Sequence, residues 1–172
     1  MKYFYGINQQ RIAGPDVVPE VLKRAENENK SVFFYGGTKI SLNKLVARLK
    51  SQFPKLIIAG SYSPPFRKLS QKEDQEVIEI INEAKPDFLF VGLGCPKQEQ
   101  WMYEHQNSIN SCMLGVGQAL NIYAGLTDRA PIWMQKHGLE WAFRLFKEPI
   151  RLARRYFYTN GLFLIVVSRL YF

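Results

Sequence analysis

The stretch Phe88–Trp101 reads FLFVGLGCPKQEQW, and the rest of the chain is organised around it. Its first four residues form an unbroken apolar run, which is typical of a strand buried on both faces of a parallel sheet. Gly92 and Gly94 then permit a tight turn, and Pro96 suits the first position of a helix. Such a helix starts at the carboxyl edge of the sheet, where its free N–H groups attract anions. The stretch predicts either a ligand site or an ordinary strand–helix corner with solvated polar residues, and its spacing favours neither.

The same alternation of strands and helices extends outward from this stretch in both directions. Apolar runs predict further strands, and amphipathic patterns with capping residues predict the helices between them. The predicted strands are 31–35, 55–59, 88–91 and 112–116, and the predicted helices are 17–29, 40–52, 70–84, 96–106 and 119–124. Strand–helix units of roughly 25–30 residues predict an α/β fold with a Rossmann-like, mostly parallel sheet flanked by helices.

The chain changes character after Pro131, so we predict a Rossmann-like core over 1–130 and a helical appendage over 131–172. The appendage is basic and aromatic, with seven Lys or Arg residues and two acidic residues, in a chain of net charge +8. Its apolar run 162–167 follows Gly161, which is predicted to interrupt the helix. This composition favours binding to an anionic membrane surface, and the alternative is a C-terminal helix packed on the core. Nucleic acid is not predicted as a partner, because no nucleic-acid-binding fold accompanies the charge.

The usual nucleotide and metal motifs are incomplete in this sequence. The pairs GLG and GVG lack the third glycine of the dinucleotide fingerprint, and there is no P-loop. No Asp-x-Asp pair offers ligands for a metal-held diphosphate, so no metal and no cofactor are predicted. Cys95 and Cys112 are isolated in sequence and are predicted to be buried free thiols. His105 and His137 are single histidines, predicted to be structural or exposed rather than catalytic.

Six blocks of the sequence resemble a known family in the same order. The long ones are VGLGCPKQEQWM, GVGQALNIYAG and RAPIWMQKHGLEWAFRLFKEPIRLARRY, at 91–102, 115–125 and 129–156. The short ones are RIAGPDVVPEV, FFYGG and AGSYSPPF, at 11–21, 33–37 and 59–66. Together they resemble the WecG/TagA/CpsF glycosyltransferases over nearly all of the chain from Arg11 to Tyr156.

This resemblance implies transfer of a sugar from a UDP-sugar donor to a polyprenyl-diphosphate-linked saccharide acceptor. Such enzymes serve bacterial wall teichoic acid, enterobacterial common antigen or capsule synthesis. They work in the cytoplasm as peripheral proteins at the inner face of the cell membrane. The resemblance also implies an inverting reaction that needs no metal, and a basic appendage that reaches the membrane and completes the active site.

Two departures from the family pattern affect the expected catalysis. Family members usually carry an Asp-Gly segment before the block at Arg11, and its Asp is the proposed base. Only ten residues precede Arg11 here, and none of them is acidic. The family also has Phe-Asp where this chain has Leu120-Asn121. The alternatives are an enzyme that uses another carboxylate, half of a split transferase with a separate N-terminal partner, and a non-catalytic subunit that binds UDP-sugar or lipid intermediate. The sequence does not decide whether the chain forms a homo-oligomer.

The candidate site residues follow from the stretch, from its neighbouring turns and from the resemblance. Gln98 is the candidate catalytic hydrogen-bond donor, and Glu99 is the candidate orienting or basic group. The candidate substrate-binding residues lie in turns, at helix starts and in the appendage: Gly36, Gly37, Tyr62, Gly92, Gly94, Lys97, Asn121, Arg129, Arg144, Arg151 and Arg154.

Overall fold

The computed structural model describes Gly6 and residues 12–171, apart from the side chains of residues 151, 154–156, 160, 164, 170 and 171. The described chain divides into two compact units, one ending at Thr127 and the other beginning at Asp128.

The first unit is a four-stranded, all-parallel sheet with helices on both faces. In chain order, strands β1 to β4 are Ser31–Gly36, Ile57–Tyr62, Phe88–Gly92 and Cys112–Gly115. Helices α1 to α5 are Gly14–Asn27, Lys39–Gln52, Gln71–Ala84, Lys97–Glu104 and Ala119–Tyr123. The sheet order is β2–β1–β3–β4. The predicted Rossmann-like α/β fold is therefore confirmed.

The strand order creates a switch point between β1 and β3. The chain leaves β1 through α2 toward β2 on one side, and it leaves β3 through α4 toward β4 on the other. The two strands run in register, with Val32 opposite Phe88 and Gly36 opposite Gly92. Open α/β sheets bind ligands outside the carboxyl ends of the strands at such a point. A ligand site is therefore expected at the loops that follow β1 and β3.

Side chains that alternate along β1 build the two halves of the core. Val32 and Phe34 face the layer of α1, α2 and α5, and the Phe34 ring stacks on Phe90 with 5.3 Å between centroids. Phe33 and Tyr35 face the layer of α3 and α4. Both layers bury apolar side chains almost completely, so each face of the sheet packs against an apolar core.

The capping predictions hold, whereas some boundaries shift. Thr38 and Ser70 each form a capping box, at the starts of α2 and α3. Pro96 is the N-cap of α4 rather than its first residue, and the peptide bond before it is cis. The predicted strand 55–59 is placed too early in the chain, because β2 begins at Ile57 and continues through Tyr62. Backbone pairing with Tyr35 of β1 extends this strand beyond its apolar run.

The second unit is helical. Its helices α6 to α8 are Ile132–Lys136, Glu140–Lys147 and Pro149–Tyr171. The expected interruption at Gly161 is wrong, because α8 continues through it. A single glycine inside a helix costs about 1 kcal/mol, which long helix-forming flanks can offset. Within the described chain, no helix combines the length and apolar character needed to cross a membrane.

Candidate functional site

Gly36 and Gly92 lie opposite each other at the switch point, with no room for a side chain between them. A Cβ placed on Gly36 would lie 2.6 Å from the carbonyl carbon of Gly92, which no real side chain tolerates. Gly36 also has a φ of +116°, a conformation that only glycine adopts readily. The carboxyl ends of β1 and β3 therefore approach each other through backbone atoms, and neither Gly36 nor Gly92 adds a side chain between them.

The loop after β1 is tied to the loop after β2. The Ser63 hydroxyl donates a hydrogen bond to the Gly37 carbonyl over 2.7 Å. Gly37 has a φ of +74° and leads directly into the Thr38 cap of α2. The sequence reasoning did not select Ser63. The hydroxyls of the SYSPPF segment were its only signal, since the contact joins residues 26 positions apart.

The loop after β3 is organised by Gln98. This side chain is only 5 % exposed although it lies in the first turn of α4. Its Oε1 accepts the Gly94 N–H over 3.2 Å, and its Nε2 donates to Glu99 Oε1 over 2.9 Å. Lys97 and Glu99 are exposed. Gln98 thus links the glycine turn to an exposed carboxylate.

The loop after β4 closes over the other side of Gln98. A Cβ on Gly115 would lie 3.1 Å from Gln98 Nε2, and one on Gly117 would lie 3.3 Å from Gln98 Oε1. The glycines of the GVG segment therefore make room for the buried amide. Leu120 lies on the helix that follows this loop, and its Cδ1 would be 2.8 Å from a Cβ on Gly92. The β3 and β4 loops therefore pack together around one glutamine.

Most of the predicted residues of the first unit meet at this edge. The residues that the structure brings together are Gly36, Gly37, Gly92, Gly94, Gln98, Glu99 and Asn121. Asn121 Oδ1 lies 4.0 Å from the position of a Cβ on Gly37, so the amide borders the β1 loop. Tyr62 ends β2 next to Tyr35, with 6.3 Å between ring centroids. Lys97 is the exposed cation of the first turn of α4.

The predicted arginines belong to the second unit. Arg144 Nη2 lies 3.5 Å from Glu140 Oε1 within α7, and Arg129 is half-buried. The side chains of Arg151 and Arg154 lie outside the described residues. Their predicted substrate contacts therefore stay predictions.

A buried polar cluster that the sequence reasoning missed lies where the second half of α4 meets α3 and β1. The ring centroid of Trp101 lies 4.5 Å from that of Tyr35 and 4.4 Å from that of His105. His105 Nε2 in turn lies 2.9 Å from Asp74 Oδ2. Burial, with a contribution from the nearby Asp74 charge, raises the pKa of Tyr35 well above its ordinary value. His105 is buried, which agrees with its predicted structural role. Only the fold brings these residues together, because they come from β1, α3 and α4.

The prediction about the cysteines is wrong in one respect. Both thiols are free, but both are exposed rather than buried. Cys95 lies in the loop between β3 and α4, and Cys112 is the first residue of the edge strand β4. A loop and a strand terminus leave side chains in solvent even when the neighbouring sequence is apolar.

The edge has the chemistry of an anion site with one carboxylate beside it. Two helices, α2 and α4, begin at this edge, helix starts attract anions, and exposed Lys97 adds a positive charge. Among the described residues, no cluster of three or more His, Cys, Asp or Glu side chains could hold a metal ion. Two open surface depressions, of about 520 and 430 Å³, lie along α3 and α1 and are lined mostly by charged and amide side chains.

Comparison with known proteins gives one consistent family. The family described as "Glycosyl transferase WecG/TagA/CpsF family" matches residues 1–171. A protein of Bacillus spizizenii named N-acetylglucosaminyldiphosphoundecaprenol N-acetyl-beta-D-mannosaminyltransferase is 35% identical over 147 residues, which are 85% of this chain and 55% of that protein. Proteins with the same name from Staphylococcus aureus and Bacillus subtilis are 34% and 35% identical, over 84% and 85% of this chain and 55% and 56% of theirs. The chain spans about half the length of these relatives.

Proposed function

The chain belongs to the WecG/TagA/CpsF family of glycosyltransferases, and from this premise we propose that it transfers a sugar from a UDP-sugar to a polyprenyl-diphosphate-linked saccharide. The names of the relatives specify N-acetylmannosamine as the transferred sugar and N-acetylglucosaminyl-diphosphoundecaprenol as the acceptor. We extend this class of donor and acceptor to the present chain. The product would serve a bacterial cell-surface polymer such as teichoic acid.

The observation that carries the proposal is that the glycine turns after β1 and β3 lead into two helix starts at the switch point, where a Cβ on Gly94 would meet nothing within 4 Å. A nucleotide diphosphate needs N–H donors and close backbone approach, and glycine turns before helix starts can provide both. Exposed Lys97 adds a positive charge beside them. We therefore assign the UDP part of the donor to the surface bordered by the loops after β1 and β3 and by the first turn of α4, which we call the crevice.

The carboxylate of Glu99 is the candidate base. In an inverting transfer the acceptor hydroxyl attacks the anomeric carbon as its bond to the UDP oxygen breaks, and the hydroxyl proton passes to a base. Glu99 is exposed at the crevice, and the Gln98 amide orients it through a 2.9 Å hydrogen bond. The departing diphosphate would be stabilised by Lys97 and by helix N–H groups, which replaces the usual task of a metal ion.

The second unit is the candidate membrane contact. Large apolar side chains are exposed along its helices, among them Trp141, Phe146, Ile150, Phe157 and Phe163. Soluble monomers rarely expose so many such groups in one short segment. Together with the Lys and Arg surplus of this segment, they favour peripheral binding to anionic lipid, where a polyprenyl-linked acceptor would reside.

The experiment that tests the function is an acceptor-dependent transfer assay. UDP release from UDP-N-acetylmannosamine would be followed with an N-acetylglucosaminyl-diphospholipid acceptor, for the unmodified chain, for Glu99→Gln and for Glu104→Gln. Glu104 is an exposed carboxylate on the same helix, which makes it the matched control. We expect a decrease of at least about tenfold for Glu99→Gln alone, in the range that loss of a general base produces. Tight UDP binding without acceptor-dependent release would favour a binding subunit instead.

A further inference from the structure

The two histidines of the chain occupy the same local position in two different helices. His105 is the C-cap of α4 and His137 is the C-cap of α6. In each, Nδ1 lies 2.7 Å from the carbonyl oxygen of the tryptophan four residues earlier, Trp101 or Trp133. The two differ at the other ring nitrogen. His105 Nε2 lies 2.9 Å from Asp74 Oδ2, and His137 has no carboxylate partner among the described residues.

Both nitrogens of His105 therefore face oxygen acceptors. A carbonyl oxygen and an ionised carboxylate accept hydrogen bonds and cannot donate them. A neutral imidazole has one N–H, so one of the two contacts would place lone pair against lone pair. Only an imidazolium, with an N–H on each nitrogen, makes both contacts attractive.

The surroundings favour a charged pair at this position. Asp74 lies in the first turn of α3, where the dipole of that helix stabilises an anion. His105 lies at the end of α4, where the dipole of α4 stabilises a cation. The Trp101 ring stacks on the imidazole at 4.4 Å, and its Nε1 points at Asp74 Oδ1 over 3.4 Å. Tyr35 of β1, whose ring centroid lies 4.5 Å from that of Trp101, is the other titratable group that the described cluster contains.

We propose that His105 is held as an imidazolium by Asp74 and by the Trp101 carbonyl, and that this charged bridge positions α4 against the sheet. One carboxylate on α3 thereby holds two side chains of α4, one turn apart. The helix is only eight residues long, and its opposite end carries Gln98 and Glu99. His105 and Asp74 are thus positioning residues for the crevice, and only this consequence rests on the proposed function.

The charge state can be read directly from nitrogen NMR of the two imidazole rings. At neutral pH, we expect both His105 ring nitrogens to give protonated signals. In Asp74→Asn the His105 ring should become neutral, because the amide can accept or donate but carries no charge. Glu79→Gln is the control, since Glu79 is an exposed carboxylate on the same helix that contacts Gln75. A neutral His105 ring in the unmodified protein would overturn the proposal, as would an imidazolium that persists in Asp74→Asn.

The positioning can be read from the Gly94 N–H, which donates to Gln98 Oε1 of α4 and exchanges with solvent when that contact opens. Its exchange rate would be measured by NMR, with the Phe53 N–H at the end of α2 as the internal reference. We expect the Gly94 rate in Asp74→Asn to rise about fivefold relative to Phe53, the change in population that loss of one hydrogen bond produces. Glu79→Gln should leave the ratio unchanged. An unchanged ratio in Asp74→Asn would contradict the positioning role.

Neither measurement uses UDP. If the protein fails to bind UDP while both results appear, the proposed function is wrong and the charged bridge stands. If UDP binds normally to the protein and to Asp74→Asn alike, the bridge does not position the crevice.

Discussion

Gly36 and Gly92 are register partners at the carboxyl ends of β1 and β3, and the space between them is too small for one methyl group. A Cβ on Gly36 would lie 2.6 Å from the carbonyl carbon of Gly92 and 2.8 Å from its oxygen. The obstructing atoms are backbone atoms of a paired strand, so they cannot move aside as a flexible side chain could.

Replacing Gly36 by Ala should therefore destabilise the fold. We expect a loss of about 3 kcal/mol in the free energy of unfolding, from overpacking together with the positive φ. Urea denaturation is the measurement. Gly161→Ala is the control, because a Cβ on this helical glycine meets nothing within 4 Å. That variant should be neutral or slightly stabilised, and equal midpoints for both variants would contradict the geometry.

Replacing Gln98 by Ala should disconnect the β3 loop from the first turn of α4. The Gly94 N–H loses its 3.2 Å acceptor, and the carboxylate of Glu99 loses its 2.9 Å donor. We expect UDP affinity and transfer to fall at least about tenfold, with a stability loss of about 1–2 kcal/mol. Gln100→Ala is the matched control, since Gln100 is exposed on the same helix. Similar losses in both variants would show that Gln98 has no special role.

The pH dependence of stability should reveal Asp87. Hydrogen bonds from the Ser31 backbone N–H, the Lys30 ammonium and the Ser31 hydroxyl lower the pKa of Asp87 to about 2. Since the ordinary value is about 3.9, the ionised carboxylate stabilises the folded state above that pH, and the contribution disappears as the pH falls toward 2. Urea melts of Asp87→Asn should show a stability deficit at pH 7 that shrinks below pH 4. A deficit that does not depend on pH would mean that the charge of Asp87 contributes nothing.

We predict that the second unit binds anionic membranes through its exposed aromatic residues. Phe157→Ser with Phe163→Ser should reduce flotation with anionic vesicles, because both rings are more than half exposed and would enter the lipid interface. Phe66→Ser is the control, since this ring is 86 % exposed in the first unit. The unmodified chain should float less at high salt, where attraction to anionic lipid is screened. Undiminished flotation of the double variant would contradict the assignment.

The order of the elements was predictable from the sequence because their signals are local. The capping boxes at Thr38 and Ser70 are examples, since each uses residues three positions apart. The run 88–91 identified the buried strand in the same way. The end of β2 was missed because its last residues are polar or small and belong to the strand only through pairing with Tyr35.

The site was predictable only in outline. Glycine turns and helix starts predicted the edge of the sheet at which these residues meet, but the burial of Gln98 depends on glycines of the β4 loop. The Asp74–His105 contact joins residues 31 positions apart, and neither residue stands in a motif. The exposure of Cys95 likewise follows from its place in a loop rather than from its apolar neighbours.

The central claim is that the carboxyl edge between β1 and β3 binds UDP, and calorimetric titration with UDP, with and without magnesium, tests it most directly. The comparison includes Lys97→Ala, at the start of α4, and Lys50→Ala, an exposed lysine in the last turn of α2 at the opposite edge of the sheet. We predict binding without magnesium that weakens at least about fivefold in Lys97→Ala, as expected for loss of one charge-assisted hydrogen bond, and is unchanged in Lys50→Ala. Absence of binding, binding only with magnesium, or equal effects of the two substitutions would contradict the claim.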